Sequence, residues 1–138
     1  MATHSMRFGA KLPDFGPKVY DFPLAESARR AERAGFDSVW VSDHVVMLRE
    51  TNSPYPYSKD GVITWDPAAA RFDAIVSMST AAAATERVEI GVAVLIAAMR
   101  NPLVLAKQMA TLDVVSGGRV VLGTGAGWLR EEFEALQV

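Results

Sequence analysis

The chain has 138 residues, 50% of them hydrophobic and 22% charged, with a formal net charge of −2 and a pI near 5.6. Those values describe one globular domain with a sizeable core rather than a disordered chain. With no basic cluster beyond Arg29, Arg30 and Arg33, there is no electrostatic footprint for nucleic acid or an anionic membrane, and a small molecule is the expected partner. The absence of cysteine excludes disulfides, thiolate metal sites and cysteine nucleophiles. Residues 1–6 lack the apolar core of a signal peptide and read as a frayed leader carrying His4. No run reaches the ~18 apolar residues of a membrane span, so the expected location is the cytoplasm.

Four apolar runs of β type, Arg7–Ala10, Ser38–Val41, Val88–Leu95 and Val120–Leu122, each precede a segment able to form a helix. That alternation predicts parallel βα units in an α/β fold. After the first run, Asp14, Gly16 and Pro17 form a polar turn. Asp21 can cap a helix with Pro23 in its first turn, Leu24, Ala28 and Ala31 facing inward, and Gly35 closing it. The second run delivers Ser42, Asp43 and His44 at its C-terminal end. From Val45 to Asp66 the chain has a long connection, of a length usual for a lid or binding loop. Its Pro54-Tyr55-Pro56-Tyr57 run is compatible with an interaction motif, but reads first as a stiff surface loop.

A second helix is predicted over Arg71–Ala84, with Phe72, Ile75, Val76, Ser79, Ala82 and Ala83 as its buried stripe. The third run is apolar through most of its length, as in a central parallel strand. Asn101 as cap and Pro102 at the first position open a third helix, Pro102–Val115, which Gly117 and Gly118 stop. The fourth run leads into Gly123-Thr124-Gly125-Ala126-Gly127-Trp128, and Glu131, Glu132 and Glu134 open a last helix.

In parallel βα folds ligands bind at the C-terminal ends of the strands. Asp43 and His44 lie at such an end. There an imidazole can act as general base or hydrogen-bond donor, or simply pack against the loop while Asp43 caps a turn. A metal is not expected, because His44 is the one histidine outside the leader and no His-x-x-x-His spacing occurs. The glycine-rich stretch fails the dinucleotide fingerprint, since Trp128 stands at its sixth position counted from Gly123, and no P-loop is present. It is either a loop whose backbone approaches a ligand or a tight turn without one.

Taken together, Gly35–His44, Ala84–Gly91, Arg100–Gln108, Ser116–Arg119 and Gly125–Phe133 resemble, in order and spacing, the luciferase-like monooxygenase superfamily. Within it the similarity is to the oxidoreductases that use the deazaflavin coenzyme F420. The resemblance implies the first half of a TIM (β/α)8 barrel, residues 1–138 as one half-barrel domain, and F420 or, alternatively, FMN at its mouth. It implies His44 as a proton-transfer group. Asp43, His44, Ala93, Val94, Leu95, Thr124, Gly125, Ala126 and Gly127 would border the cofactor, with a non-prolyl cis peptide at Ala93-Val94 or its neighbours. Sugar-phosphate dehydrogenases of the family carry a glutamate as acid where this chain has Trp128. A full barrel needs ~250 residues, so four strands leave two open edges. These are expected to reflect a truncated frame or fragment, a homodimer closed edge to edge or a complementary half-barrel chain, with a module that assembles without catalysis as the rival reading.

Overall fold

The computed structural model describes residues 6–138. The predicted leader therefore lies outside the described residues except for Met6, which is exposed. Four strands, β1 (Gly9–Lys11), β2 (Ser38–Val41), β3 (Glu89–Ile96) and β4 (Val120–Gly125), pair in parallel in the order β1-β2-β3-β4. The helices between them are α1 (Lys18–Asp21), α2 (Leu24–Arg33), α3 (Ala74–Ala84) and α4 (Pro102–Ser116), with α5 (Arg130–Leu136) following β4. Among the described residues no helix is long and apolar enough to cross a membrane.

The register assigns each face of the sheet. Val39 pairs with Ile90 and Ile90 with Val120, Val41 with Val92 and Val92 with Leu122. On this face Val39, Val41, Ile90 and Val92 are buried in one cluster with Leu24 and Ala28 of α2, Met78 and Ala81 of α3, and Leu105, Met109 and Leu112 of α4. The opposite face carries Gly9, Trp40 and Gly91. A Cβ at either glycine would collide with the Trp40 indole, so these glycines let the ring lie across three strands. Its Nε1–H donates to the Ser38 hydroxyl at 2.7 Å.

Helix ends follow local chemistry. Asp73 caps α3 by accepting from the Val76 amide, and Asn101 caps α4 by accepting from the amides of Leu103 and Val104. Gly35, with φ +86°, receives the chain after α2, and Gly117 and Gly118, at φ +72° and +79°, turn it after α4; only glycine adopts that region at little cost. Arg119 fastens β4 to α3 by donating to the carbonyls of Ala82, Thr85 and Val88 and to the Thr85 hydroxyl.

Three expectations shift. The first helix divides, because Phe22-Pro23 interrupts it: α1 is a single turn, and α2 starts at Leu24 with Pro23, not Asp21, at its N-cap. In α3 the buried residues are Ala74, Ser77, Met78, Ala81 and Ala82, while Val76 is exposed and Phe72 precedes the helix. That helix is apolar nearly all round, so periodicity alone does not orient it. Strand β4 runs on to Gly125 instead of ending at Leu122. Gly123 and Gly125 permit this because a Cβ at 123 would stand 2.6 Å from the Val92 carbonyl oxygen, and one at 125 would stand 2.5 Å from Val94.

Candidate active site at the strand ends

Beyond the C-terminal ends of the strands lies a pocket of about 540 Å³. Strand ends supply its floor through Ser42, Asp43 and His44 after β2, Ala93, Val94 and Ile96 of β3, and Gly125 to Trp128 from β4 onward. Its walls are Phe15 from the β1 loop and Tyr55, Tyr57, Trp65 and Arg71 from the long connection. The connection thus walls a pocket, in keeping with its length, whereas its Pro54–Tyr57 run, expected to be a stiff surface loop, supplies Tyr55 and Tyr57 to that wall. Tyr55 is its hub: its ring centroid is 4.7 Å from Trp65, 5.4 Å from Tyr57 and 5.3 Å from Trp128, all edge-on.

The peptide Ala93-Val94 is cis. It lies in a bulge of β3, where the pairing with β4 shifts between Val92 and Leu95. The bulge leaves Val94 45% exposed on the pocket side, whereas Leu95 is fully buried in the helix-facing core. Of the nine residues expected at a cofactor, Asp43, His44, Ala93, Val94, Gly125, Ala126 and Gly127 line the pocket; Leu95 and Thr124 do not. Those two are paired across β3 and β4; Leu95 is buried in the helix-facing core and Thr124 is exposed.

Asp43 and His44 have different jobs. The Asp43 side chain is buried and makes two 2.6 Å hydrogen bonds with the Arg100 guanidinium, one to each carboxylate oxygen. The Ile96 amide donates to it as well, at 2.9 Å. Bidentate pairing of this kind is strong and directional. Burial depresses the Arg100 guanidinium, but the bond to Asp43 more than reverses this and raises it above its ordinary value. Asp43 thereby ties the end of β2 to the end of β3, next to the bulge.

His44 is held by a residue of the last helix, to which its segment alone assigned no partner. Glu132, in the first turn of α5, is 0% exposed and takes a 2.7 Å hydrogen bond from Nδ1 of His44. Its other oxygen accepts from the amides of Val45 and Val46 at 2.5 and 3.0 Å. Burial pushes the Glu132 carboxyl up, but the bonds from His44, Val46 and Val45 prevail and hold it below the ordinary carboxylate value. An ionised carboxylate only accepts, so the proton of neutral His44 sits on Nδ1 and the lone pair on Nε2. Among the described residues no group hydrogen-bonds Nε2. The Trp128 ring stands edge-on to the imidazole, 6.1 Å between centroids.

Neighbouring Glu131 accepts from the amides of Asn52 and Ser53 at 2.6 and 3.0 Å. Hydrogen bonds from Ser53 and the Asn52 amide hold its carboxyl down to about 2. The first turn of α5 thus grips the connection at two places, Val45-Val46 and Asn52-Ser53. Changing Glu131 to Ala is expected to speed amide exchange at Asn52 and Ser53 severalfold while the core amides of β2 and β3 are unmoved; hydrogen exchange read by mass spectrometry checks this. On the other side, Asp14 accepts from the Ser42 amide and hydroxyl at 2.5 and 2.9 Å and pairs with Lys11. Burial lowers the Lys11 ammonium despite that pair.

An open sheet of parallel βα units with a pocket at its strand ends is the architecture of a barrel-type enzyme domain. Residues 20–137 match the family described as luciferase-like monooxygenase, and the chain belongs to that family. The F420-dependent glucose-6-phosphate dehydrogenase of Amycolatopsis mediterranei is 39% identical over 121 residues, which make up 87% of this chain and 30% of that protein. Among solved structures, an F420-dependent secondary alcohol dehydrogenase in complex with an F420-acetone adduct is 31% identical with a TM-score of 0.65, over 89% of this chain and 32% of that one. The FMN-bound oxygenating constituent of 3,6-diketocamphane monooxygenase from Pseudomonas putida shares the fold, with a TM-score of 0.69 at 20% identity, over 97% of this chain and 33% of that one. The chain spans about a third of the length of these relatives, and its four strands correspond to the first half of a TIM-type barrel.

Proposed function

We propose that this chain is the N-terminal half-barrel, one domain, of an F420-dependent oxidoreductase in which hydride passes between the deazaflavin and a small organic substrate. The observation that carries the reading is the His44-Glu132 pair: a buried carboxylate sets the tautomer of an imidazole that lines a pocket at the strand ends. Two relatives above 30% identity are F420-dependent by name, whereas the FMN-bound structure is alike in fold only; this favours F420 over FMN and over oxygen-dependent chemistry.

The pocket suits a flat ring system. Val94 projects from the bulge, and Gly125 beside it has no room for a side chain. Ala93, Val94 and the backbone of Gly125, Ala126 and Gly127 would hold the ring, with Tyr55, Trp65 and Trp128 closing the side toward solvent. When bound, the deazaflavin supplies hydride acceptance and donation. For an alcohol substrate, Nε2 of His44 takes the hydroxyl proton as the hydride leaves carbon, and returns it in the reverse direction. Glu132 stabilises the imidazolium formed, and Asp43 with Arg100 keeps the ends of β2 and β3 fixed beneath it. By the resemblance, Trp128 stands where some sugar-phosphate dehydrogenases carry an acid, so their substrate class is not carried over to this chain.

Two strand edges, on β1 and β4, are left unpaired within the sheet. The same proposal has them covered by four further strands, from a second copy or a complementary chain. Sedimentation across micromolar concentrations is expected to show association; a strictly monomeric profile contradicts pairing between copies. Replacing His44 with Ala in the completed barrel is expected to lower turnover with a secondary alcohol by at least ~10²-fold, followed as loss of oxidised F420 absorbance. Unchanged turnover removes the proton-transfer role.

A further inference from the structure

The walls of the pocket contain donors that the protein does not use. Arg71 is set in place by backbone pairing between the β1 loop and the end of the long connection: the Gly16 amide donates to the Ala70 carbonyl, and the Phe72 amide to the Asp14 carbonyl. Its guanidinium carbon stacks over the Phe15 ring at 4.2 Å. Among the described residues the guanidinium makes no hydrogen bond and no ion pair, and its Nε is buried without a partner. Trp65, edge-on to the same Phe15 ring at 6.0 Å between centroids, buries its Nε1–H equally unpartnered.

Buried donors are nearly always satisfied, and each exception calls for an explanation. The acids that feel Arg71 are Asp14, Glu132 and Asp43. Each is already committed, Asp14 to Lys11 and Ser42, Glu132 to His44 and two amides, Asp43 to Arg100 and Ile96. Burial lowers the Arg71 guanidinium from its ordinary value, and those acids offset this only in part. A cationic fork and an indole N–H thus flank one aromatic ring in a pocket whose lining carboxylate, Asp43, and whose nearby acids, Asp14 and Glu132, are already committed.

We infer that Arg71 and Trp65 form a subsite for an organic anion, whose carboxylate or phosphate oxygens accept from the guanidinium and the indole N–H. The planar fork binds such oxygens in pairs, and Phe15 and Tyr55 present flat apolar faces to the group that carries them. This inference rests on the pocket being the active site and narrows the ligand to one bearing a negative charge. That charge belongs either to the substrate or to the side chain of the cofactor.

The test uses benzoate and its neutral counterpart benzamide as probes of the 138-residue chain, read from the Trp65 indole N–H resonance assigned by its loss in Trp65→Phe. Benzoate is expected to shift that resonance saturably, with at least ~10-fold higher affinity than benzamide. Arg71→Gln is expected to abolish the preference. Trp65→Phe, which keeps an aromatic ring and removes only the donor, is expected to weaken benzoate severalfold, read from backbone amides of the loop. Equal affinity for the two probes, or an Arg71→Gln protein that folds and still prefers benzoate, overturns the subsite. F420 affinity in the same variants identifies the source of the charge: a parallel loss assigns it to the cofactor, and retention assigns it to the substrate. If wild type binds neither F420 nor FMN yet discriminates benzoate from benzamide, the anion subsite holds and the reading of a cofactor site complete within this half fails.

Discussion

Replacing Glu132 with Ala is expected to destabilise the folded chain by about 3–5 kcal/mol, from two part-buried hydrogen bonds to a carboxylate lost at ~1.5–3 kcal/mol each and a loosened imidazole. Glu132→Gln separates the contributions. An amide oxygen can still accept from Val45 and Val46, so stability should fall by no more than ~1 kcal/mol. The side chain now offers an N–H to Nδ1 of His44, however, and so favours the opposite tautomer, with the proton on Nε2. Activity in the completed barrel should therefore fall sharply in a protein that melts nearly normally. Equal melting losses in the two variants would contradict this division.

The same carboxylate predicts an acid limit. Its folded value lies below the ordinary 4.5, so its stabilisation is fully present above the unfolded value and is lost as pH falls through the folded one. Wild type should lose stability below about pH 4.5, with a steeper slope than Glu132→Gln in urea titrations at stepped pH.

Asp43→Ala has an effect of similar size and a different cause. It leaves the Arg100 guanidinium, only 12% exposed, with the half-exposed Asp73 at 3.7 Å as its remaining partner, and breaking a buried pair from one side costs up to ~3–5 kcal/mol. The Ile96 amide loses its acceptor too. Removing both charges as Asp43→Ala with Arg100→Met should recover most of the loss, because the cost lies in the uncompensated ion rather than in the pair. A double mutant no more stable than Asp43→Ala would show instead that the hydrogen bonds of Asp43 dominate. Urea unfolding of the three variants decides.

How much of this was legible beforehand depends on whether a residue advertises itself within its own segment. Asp43 and His44 did, because a short apolar strand running into two polar groups marks a strand end. The cap at Asn101 and the stop at Gly117 did so for the same local reason. Glu132 did not, since acids in the first turn of a helix are ordinarily solvated and favoured by the helix dipole. A signal was nonetheless present: Leu129, Phe133 and Leu136 form an i, i+4, i+7 apolar stripe, and Glu132 falls on it while Glu131 and Glu134 fall off. A charge inside the buried face of a helix calls for a partner, and His44 was the unassigned candidate. Arg71, Tyr55 and Trp65 carried no such signal, because they sit in a connection without periodicity whose path is set by distant contacts with Phe15, Trp128 and α5. The misjudged face of α3 has the opposite origin, an excess of apolar residues that left nothing to distinguish inside from outside.

A deazaflavin site built into these four strands is detected most directly by a fluorescence titration of the purified chain with F420 and, separately, with FMN. Saturable binding of F420 with little response to FMN is the predicted result, weakened when Val94 is replaced by Asp at the bulge. Preferential binding of FMN would move the chain to the oxygen-using side of the family. Binding of neither by a folded sample would contradict such a site and leave these strands as an assembly unit whose cofactor site needs the rest of a barrel.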